Sequence, residues 1–282
     1  MKIGVSSYSF SQLLSKNKIS LIDTVKLAAE IGFDSIEFTQ LPDSDMPKEE
    51  LAKLLVLEAE KYNIEISAYL IGANLLQNTE EEMVFEVERI KKELDIAKIL
   101  GVKLFRFDIL FSMPKFMSYK MAIKKVVPYI REIADYGKNL GITTMTENHG
   151  QIFQDADRMI ELYSEVDNDN FKLLCDMGNF MCADEVCQIS VSKVISLTAH
   201  IHSKDFLKFS REEAVGKPNT FTSRAHNYLQ GTVVGKGEVN VSQCLSIIKS
   251  SGYDGFINIE YEGPNDCIDA LKEGLSYLRE NI

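Results

Sequence analysis

Short runs of β-branched and apolar residues alternate along the chain with longer segments whose apolar positions recur at helical spacing. Ile3 to Ser6 reads as a strand, and Leu21, Val25, Ala28 and Ala29 mark one face of a helix that Gly32 closes. Ser35 to Phe38 is a second strand. The helix after it opens at Pro47 and is lined by Leu51, Leu54, Leu55, Leu57 and Ala59. Ile64 to Ile71 is a third strand, and its helix runs from Thr79, with Glu82 at capping-box spacing, to Gly101. The alternation continues as Val102 to Phe107 with Met121 to Leu140, Ile142 to Glu147 with Ala156 to Tyr163, and Phe171 to Asp176 with Asp184 to Val191. It closes with Ile195 to His202 and Val241 to Ser250, then Gly255 to Glu260 and Ile268 to Leu278. Helices end at Gly32, Gly101, Gly141 and Gly252, each followed directly by a strand, because glycine supplies the left-handed turn that stops a helix.

Eight strand–helix units in 282 residues, with strands apolar on both faces, predict an α/β fold: a single (β/α)₈ barrel domain spanning 1–282. An open doubly wound sheet fits less well, since Ser6-Ser7-Tyr8-Ser9-Phe10 stands where a glycine-rich phosphate loop would follow the first strand. The stretch 203–237 reads as one long irregular loop at the C-terminal end of a strand, where barrel active sites form. Apolar residues make up 45% of the chain and charged residues 26%, which excludes wholesale disorder. A net charge of −11 repels phosphate backbones, so no nucleic-acid partner is expected. No apolar run reaches the ~18 residues of a membrane span, and the N-terminus lacks a signal-like apolar core. The 5 cysteines, without a C-x-x-C pair, read as free thiols in a reducing cytoplasm.

Four consecutive strands end in residues that ligate metals: Glu147, Asp176, His202 and Glu260. A lone acid at a strand end is usually a solvated loop residue. Three carboxylates gathered at one barrel mouth repel unless protons or a cation intervene. One divalent ion resolves that conflict. The set of three oxygens and one imidazole nitrogen suits Mn²⁺ or Mg²⁺, with Co²⁺ or Zn²⁺ also compatible.

These residues resemble the xylose-isomerase-like TIM-barrel superfamily, which includes sugar-phosphate isomerases and epimerases, ketose 3-epimerases and inosose-processing enzymes. The likeness spans nearly the whole chain. It is carried by Glu147-Asn148-His149, Asp176-Met177-Gly178-Asn179, His200-Ile201-His202-Ser203-Lys204-Asp205 and Gly235-Lys236-Gly237-Glu238-Val239. It implies that Glu147, Asp176, His202 and Glu260 hold one metal ion, Mn²⁺ before the others, and that Glu147 and Glu260 are the catalytic acid/base pair. The implied reaction is isomerisation or epimerisation of a sugar or polyol-derived ketone, by proton abstraction through a metal-stabilised enediolate. A metal-dependent lyase or dehydratase, and a non-catalytic sugar-binding barrel, are the alternatives. The chain departs from endonuclease IV, a more distant member, at Asn179 and at Leu229-Gln230-Gly231, where that enzyme has further metal ligands, so phosphodiester cleavage is not expected.

His149, Asn179, Lys204 and Arg106 are candidate substrate contacts. Each has a plainer reading: a structural histidine, an amide in a turn, a solvated lysine, and an ion pair of Arg106 with Glu37 or Asp108. Asp205 could share Lys204's role. His200 reads as a satisfied core histidine, while Arg224 and His226 reach substrate only if the long loop folds over the site. The expected partner is a small sugar or polyol, a free sugar rather than a phosphate ester, with no membrane; a homo-oligomer is left open.

Overall fold

The computed structural model describes residues 1–282. Its centre is a closed barrel of eight parallel strands: β1 (Lys2–Ser6), β2 (Ser35–Thr39), β3 (Glu65–Ile71), β4 (Leu104–Phe107), β5 (Thr143–Glu147), β6 (Phe171–Asp176), β7 (Thr198–Ser203) and β11 (Phe256–Ile259), with β11 closing against β1. Around it pack α2 (Asp23–Ile31), α3 (Lys48–Tyr62), α4 (Glu80–Leu100), α5 (Tyr119–Leu140), α6 (Ala156–Val166), α7 (Cys187–Val194), α9 (Val241–Ser250) and α10 (Cys267–Asn281). The α4 start is a full capping box between Thr79 and Glu82. Gly32, Gly101 and Gly141 terminate their helices in the left-handed region.

Three segments differ from the sequence reading. The helix expected over Asp184 to Val191 spans Cys187–Val194, because Asn179–Ala183 forms a 3₁₀ turn that Asp184 ends in the left-handed region. The seventh strand begins at Thr198 rather than Ile195, because Ile195–Leu197 forms a 3₁₀ turn and the Thr198 hydroxyl donates to Val194 O at 3.0 Å. The stretch 203–237 is not irregular. It carries an antiparallel three-stranded sheet, β8 (Asp205–Phe209), β9 (Thr220–Thr222) and β10 (Tyr228–Thr232), plus the single-turn helix α8 (Arg211–Ala214), the counterpart of the single-turn α1 (Ser11–Leu14) that follows β1. Phe206, Leu229 and Cys182 form its own small apolar cluster.

The main core lies between barrel and helices. The barrel interior is divided. Ala68, Leu70, Met145 and Leu174 plug one side, while Ser35, Glu37, Ser67, His200 and Asn258 form a buried polar network on the other. Gly4 permits that network: a Cβ there would lie 2.1 Å from Asn258 Oδ1 and 2.2 Å from Ser35 Oγ. No helix is long and apolar enough to cross a membrane.

Candidate metal centre

Strand alternation turns Glu147, Asp176 and His202 inward at the C-terminal ends of β5, β6 and β7, and Glu260 follows the last residue of β11. His202 Nδ1 lies 3.5 Å from Glu260 Oε2, 3.7 Å from Glu147 Oε1 and 4.0 Å from Asp176 Oδ2. One ligand atom from each of the four falls within 4.8 Å of the others. Ligands on opposite sides of an ion bound at about 2.2 Å are about 4.4 Å apart, and all three separations from His202 fit inside that limit. Asp176 Oδ2 and His202 Nδ1 are buried without a hydrogen-bond partner. Buried polar atoms are normally paired, so two orphans beside two carboxylates fit a shared cation.

Neighbours fix each of the four. Asp176 Oδ1 accepts the backbone N–H groups of Gly178 and Asn179 at 2.8 and 2.9 Å, which leaves Oδ2, with the Lys204 ammonium 3.5 Å away, to face the other ligand atoms. Asn148 locks β5 to β6, donating to Asp176 O and accepting from Asp176 N, both at 2.8 Å. Glu147 receives the Asn179 amide at 2.9 Å and pairs with Arg106 at 2.7 Å. Glu260 pairs with Lys204 at 2.7 Å. On the far side of the His202 ring, Nε2 lies 2.7 Å from Glu37 Oε1, and the other Glu37 oxygen lies 2.7 Å from His200 Nε2. Glu37, His200 and His202 form a second possible metal group. Because Glu37 already engages both imidazoles, its geometry is that of the carboxylate that orients a ligating histidine.

Charge follows from these contacts. Burial raises the Asp176 carboxyl to about 6, against the pull of Lys204. Burial also works against ionisation of Glu260, but Lys204 and His202 hold it down at about 2. Glu147 is likewise kept well below the ordinary carboxylate range, with Arg106 and His202 overcoming its burial.

The remaining candidates divide. Lys204 is buried rather than solvated, and Arg106 pairs with Asp108 at 2.8 Å as well as with Glu147, not with Glu37. His149 Nδ1 sits 3.1 Å from Asp108 Oδ1 and its ring lines the same cavity as Arg106, Lys204, Glu147 and Glu260. Burial and, less strongly, Arg106 lower the His149 pKa, but Asp108 and Glu147 together outweigh them and the net shift is upward. Asp205 does not face the site. Its carboxylate collects the N–H groups of Phe206, Gly235, Gly237 and Val239, which makes it the anchor of the Gly-Lys-Gly turn. Arg224 binds Asp155 and Gln151 O, tying the inserted sheet to the loop after β5. Glu262 and Tyr8 line the cavity unforeseen. Tyr8 stands two residues past the end of β1, in the 3₁₀ turn Ser7–Phe10, and Glu262 three past the end of β11, and the only signal for them is that position.

The family model for xylose isomerase-like TIM barrels matches residues 25–281. An inosose dehydratase of Mesomycoplasma hyopneumoniae (strain J) is 23% identical over 290 residues, covering 94% of this chain and 89% of that protein. Among solved structures, D-psicose 3-epimerase from Clostridium cellulolyticum H10, with D-tagatose, superposes with a TM-score of 0.78 at 16% identity, over 100% of this chain and 99% of that one. The "probable 3-DHS dehydratase AsbF" from Bacillus anthracis superposes with a TM-score of 0.76 at 21% identity, over 99% of both chains. Fold, strand order and family model agree, and the chain belongs to the xylose isomerase-like TIM barrel family.

Proposed function

We propose that this protein is a divalent-metal-dependent isomerase or epimerase acting on a sugar or polyol-derived ketone. The observation that carries the proposal is the convergence of Glu147, Asp176, His202 and Glu260 around two unpaired buried atoms. A dication held by these four would polarise a substrate carbonyl and make the neighbouring C–H acidic.

The chain's own residues supply the proton transfers. Arg106 keeps Glu147 ionised and Lys204 keeps Glu260 ionised, so either can accept a carbon-bound proton. In epimerisation the glutamate that starts ionised takes the proton, and the other, which must enter that step protonated, delivers its proton to the opposite face; the two exchange protonation states in each turnover. A single glutamate returns it to the adjacent carbon in isomerisation. Asn179 aligns the Glu147 carboxylate, and His149 lies on the cavity wall as a hydroxyl contact.

A second reading, dehydration, is favoured by the names of the inosose dehydratase relative and the AsbF structure. Here His149, backed by Asp108, is the group placed to protonate a departing hydroxyl.

Glu147→Gln and Glu260→Gln should each slow turnover about 10²- to 10⁴-fold, with exchange of the substrate C–H for deuterium in D₂O lost in parallel. Wild-type exchange rates in both variants would remove the two glutamates from the mechanism. Product analysis separates the readings: a rearranged sugar of unchanged mass for isomerisation, a product lighter by one water for dehydration.

A further inference from the structure

Three cavities meet at the C-terminal mouth of the barrel, and Glu262 lines all of them. One, of 400 Å³, lies over the ligating carboxylates and is bounded by Arg106, His149 and Lys204. A second, of 230 Å³, extends from His149 and Lys204 to Phe221 and Thr222 of the inserted sheet. The third, of 430 Å³, shares Tyr8 and Glu262 with the first and runs out to Gln12, Asn219, Thr220 and Phe221. The space around the metal centre is therefore flanked, across Tyr8 and Glu262, by an outer arm bordered by Thr220 and Phe221 of strand β9.

The chemistry of that arm is distinctive. No lysine, arginine or histidine lines it, and its one charged group is the Glu262 carboxylate. A phosphate or carboxylate tail would meet repulsion and no counter-ion. Two aromatic side chains, Tyr8 and Phe221, are left 40% and 37% exposed there. The Phe221 ring is braced edge-on by Phe206, with centroids 5.5 Å apart and an interplanar angle of 78°. Gln12 spends its amide on Gly263 O and Asn265 O at 2.9 and 2.8 Å, so its side-chain oxygen remains an acceptor. Exposed ring faces beside amides, hydroxyls and one acceptor carboxylate match the alternating C–H and O–H surface of a sugar ring.

We infer that the outer arm is a second sugar subsite, which takes an uncharged polyhydroxylated ring linked to the ketose that reacts at the metal centre. The inference rests on the proposed reaction for the identity of the inner ring, and it gives the inserted sheet a role as the wall of the outer one. Glu262, at the junction, contacts both rings.

The test uses the 282-residue chain loaded with Mn²⁺. The kcat/KM for D-fructose is compared with that for glucosyl-fructose disaccharides of different linkage, and binding of each is measured by calorimetry. At least one linkage isomer should exceed fructose about tenfold in affinity or kcat/KM. Phe221→Ala, and Asn219→Gly, which keeps the left-handed backbone (φ 54°) and removes the amide, should penalise that disaccharide about tenfold more than fructose. Disaccharides that bind no better than fructose at every linkage, or variants that weaken both sugars equally, overturn the subsite. Disaccharide binding that depends on Phe221 without turnover of any ketose leaves the subsite standing and removes the proposed reaction. Fructose turnover without disaccharide preference does the reverse.

Discussion

Glu262 shows how closely single residues are fitted at the barrel mouth. It reaches towards Lys204, with 3.8 Å between Oε1 and Nζ, and strand β10 presses on it at Gly231. A Cβ at Gly231 would lie 2.8 Å from the Glu262 carbonyl carbon and 2.9 Å from its Cγ. Gly231→Ala must therefore push the strand and the carboxylate apart, with an expected loss of about 1–3 kcal/mol in urea unfolding; unaltered stability would mean the strand stands clear of Glu262. At this scale the sequence was informative where a polar residue ends an apolar run. Glu147, Asp176, His202 and Glu260 each do so, and all four meet. Glu37 and Asn258 were harder to read, because a polar residue inside a strand gains meaning only when the barrel closes and brings the Glu37 carboxylate between two histidines and the Asn258 amide. Asn148 joins two strands through backbone atoms, and backbone partners leave no trace in residue type.

The element that sequence periodicity described least well is the inserted sheet. Its strands are three to five residues long, and their buried positions are consecutive and partly polar (Asp205-Phe206 and Leu229-Gln230-Gly231) rather than alternating, so neither a period nor an apolar run stands out. Polar anchors hold it instead. Asp205 fixes its first and last turns through four backbone N–H groups. Asp184, which caps the turn after β6, accepts from Ser223 Oγ at 2.8 Å, Ala225 N at 2.6 Å and Asn227 Nδ2 at 2.7 Å. Burial raises the Asp184 pKa, but these bonds outweigh it and the net shift is downward. A carboxyl with a folded pKa below its unfolded value adds stability above the unfolded value, about 3.9, and loses it as pH falls through the folded one. Asp184→Asn should therefore flatten the fall in thermal midpoint below about pH 4, by a modest amount because the group is largely exposed. An identical pH profile in wild type and variant would show that the sheet is anchored elsewhere. The barrel strands and helix stops, by contrast, follow directly from alternation and from glycines at positive φ.

Across the whole molecule the two mouths of the barrel differ in kind. The larger cavity, 1170 Å³, opens at the N-terminal mouth among residues such as Lys2, Glu65, Lys103 and Phe256, and includes none of the four ligand residues. The C-terminal mouth has smaller spaces but gathers five carboxylates (Asp108, Glu147, Asp176, Glu260 and Glu262), two imidazoles and two buried cations, at the face where barrel loops build active sites. Charge crowding, not volume, marks the functional end. The direct test is elemental analysis after reconstitution with Mn²⁺ and removal of free ion, on wild type and on His202→Ala with its circular dichroism shown intact. About one ion per chain is expected in the wild type, falling to background in the variant. A wild type that retains no ion, or a variant that retains as much, would contradict a centre built from Glu147, Asp176, His202 and Glu260.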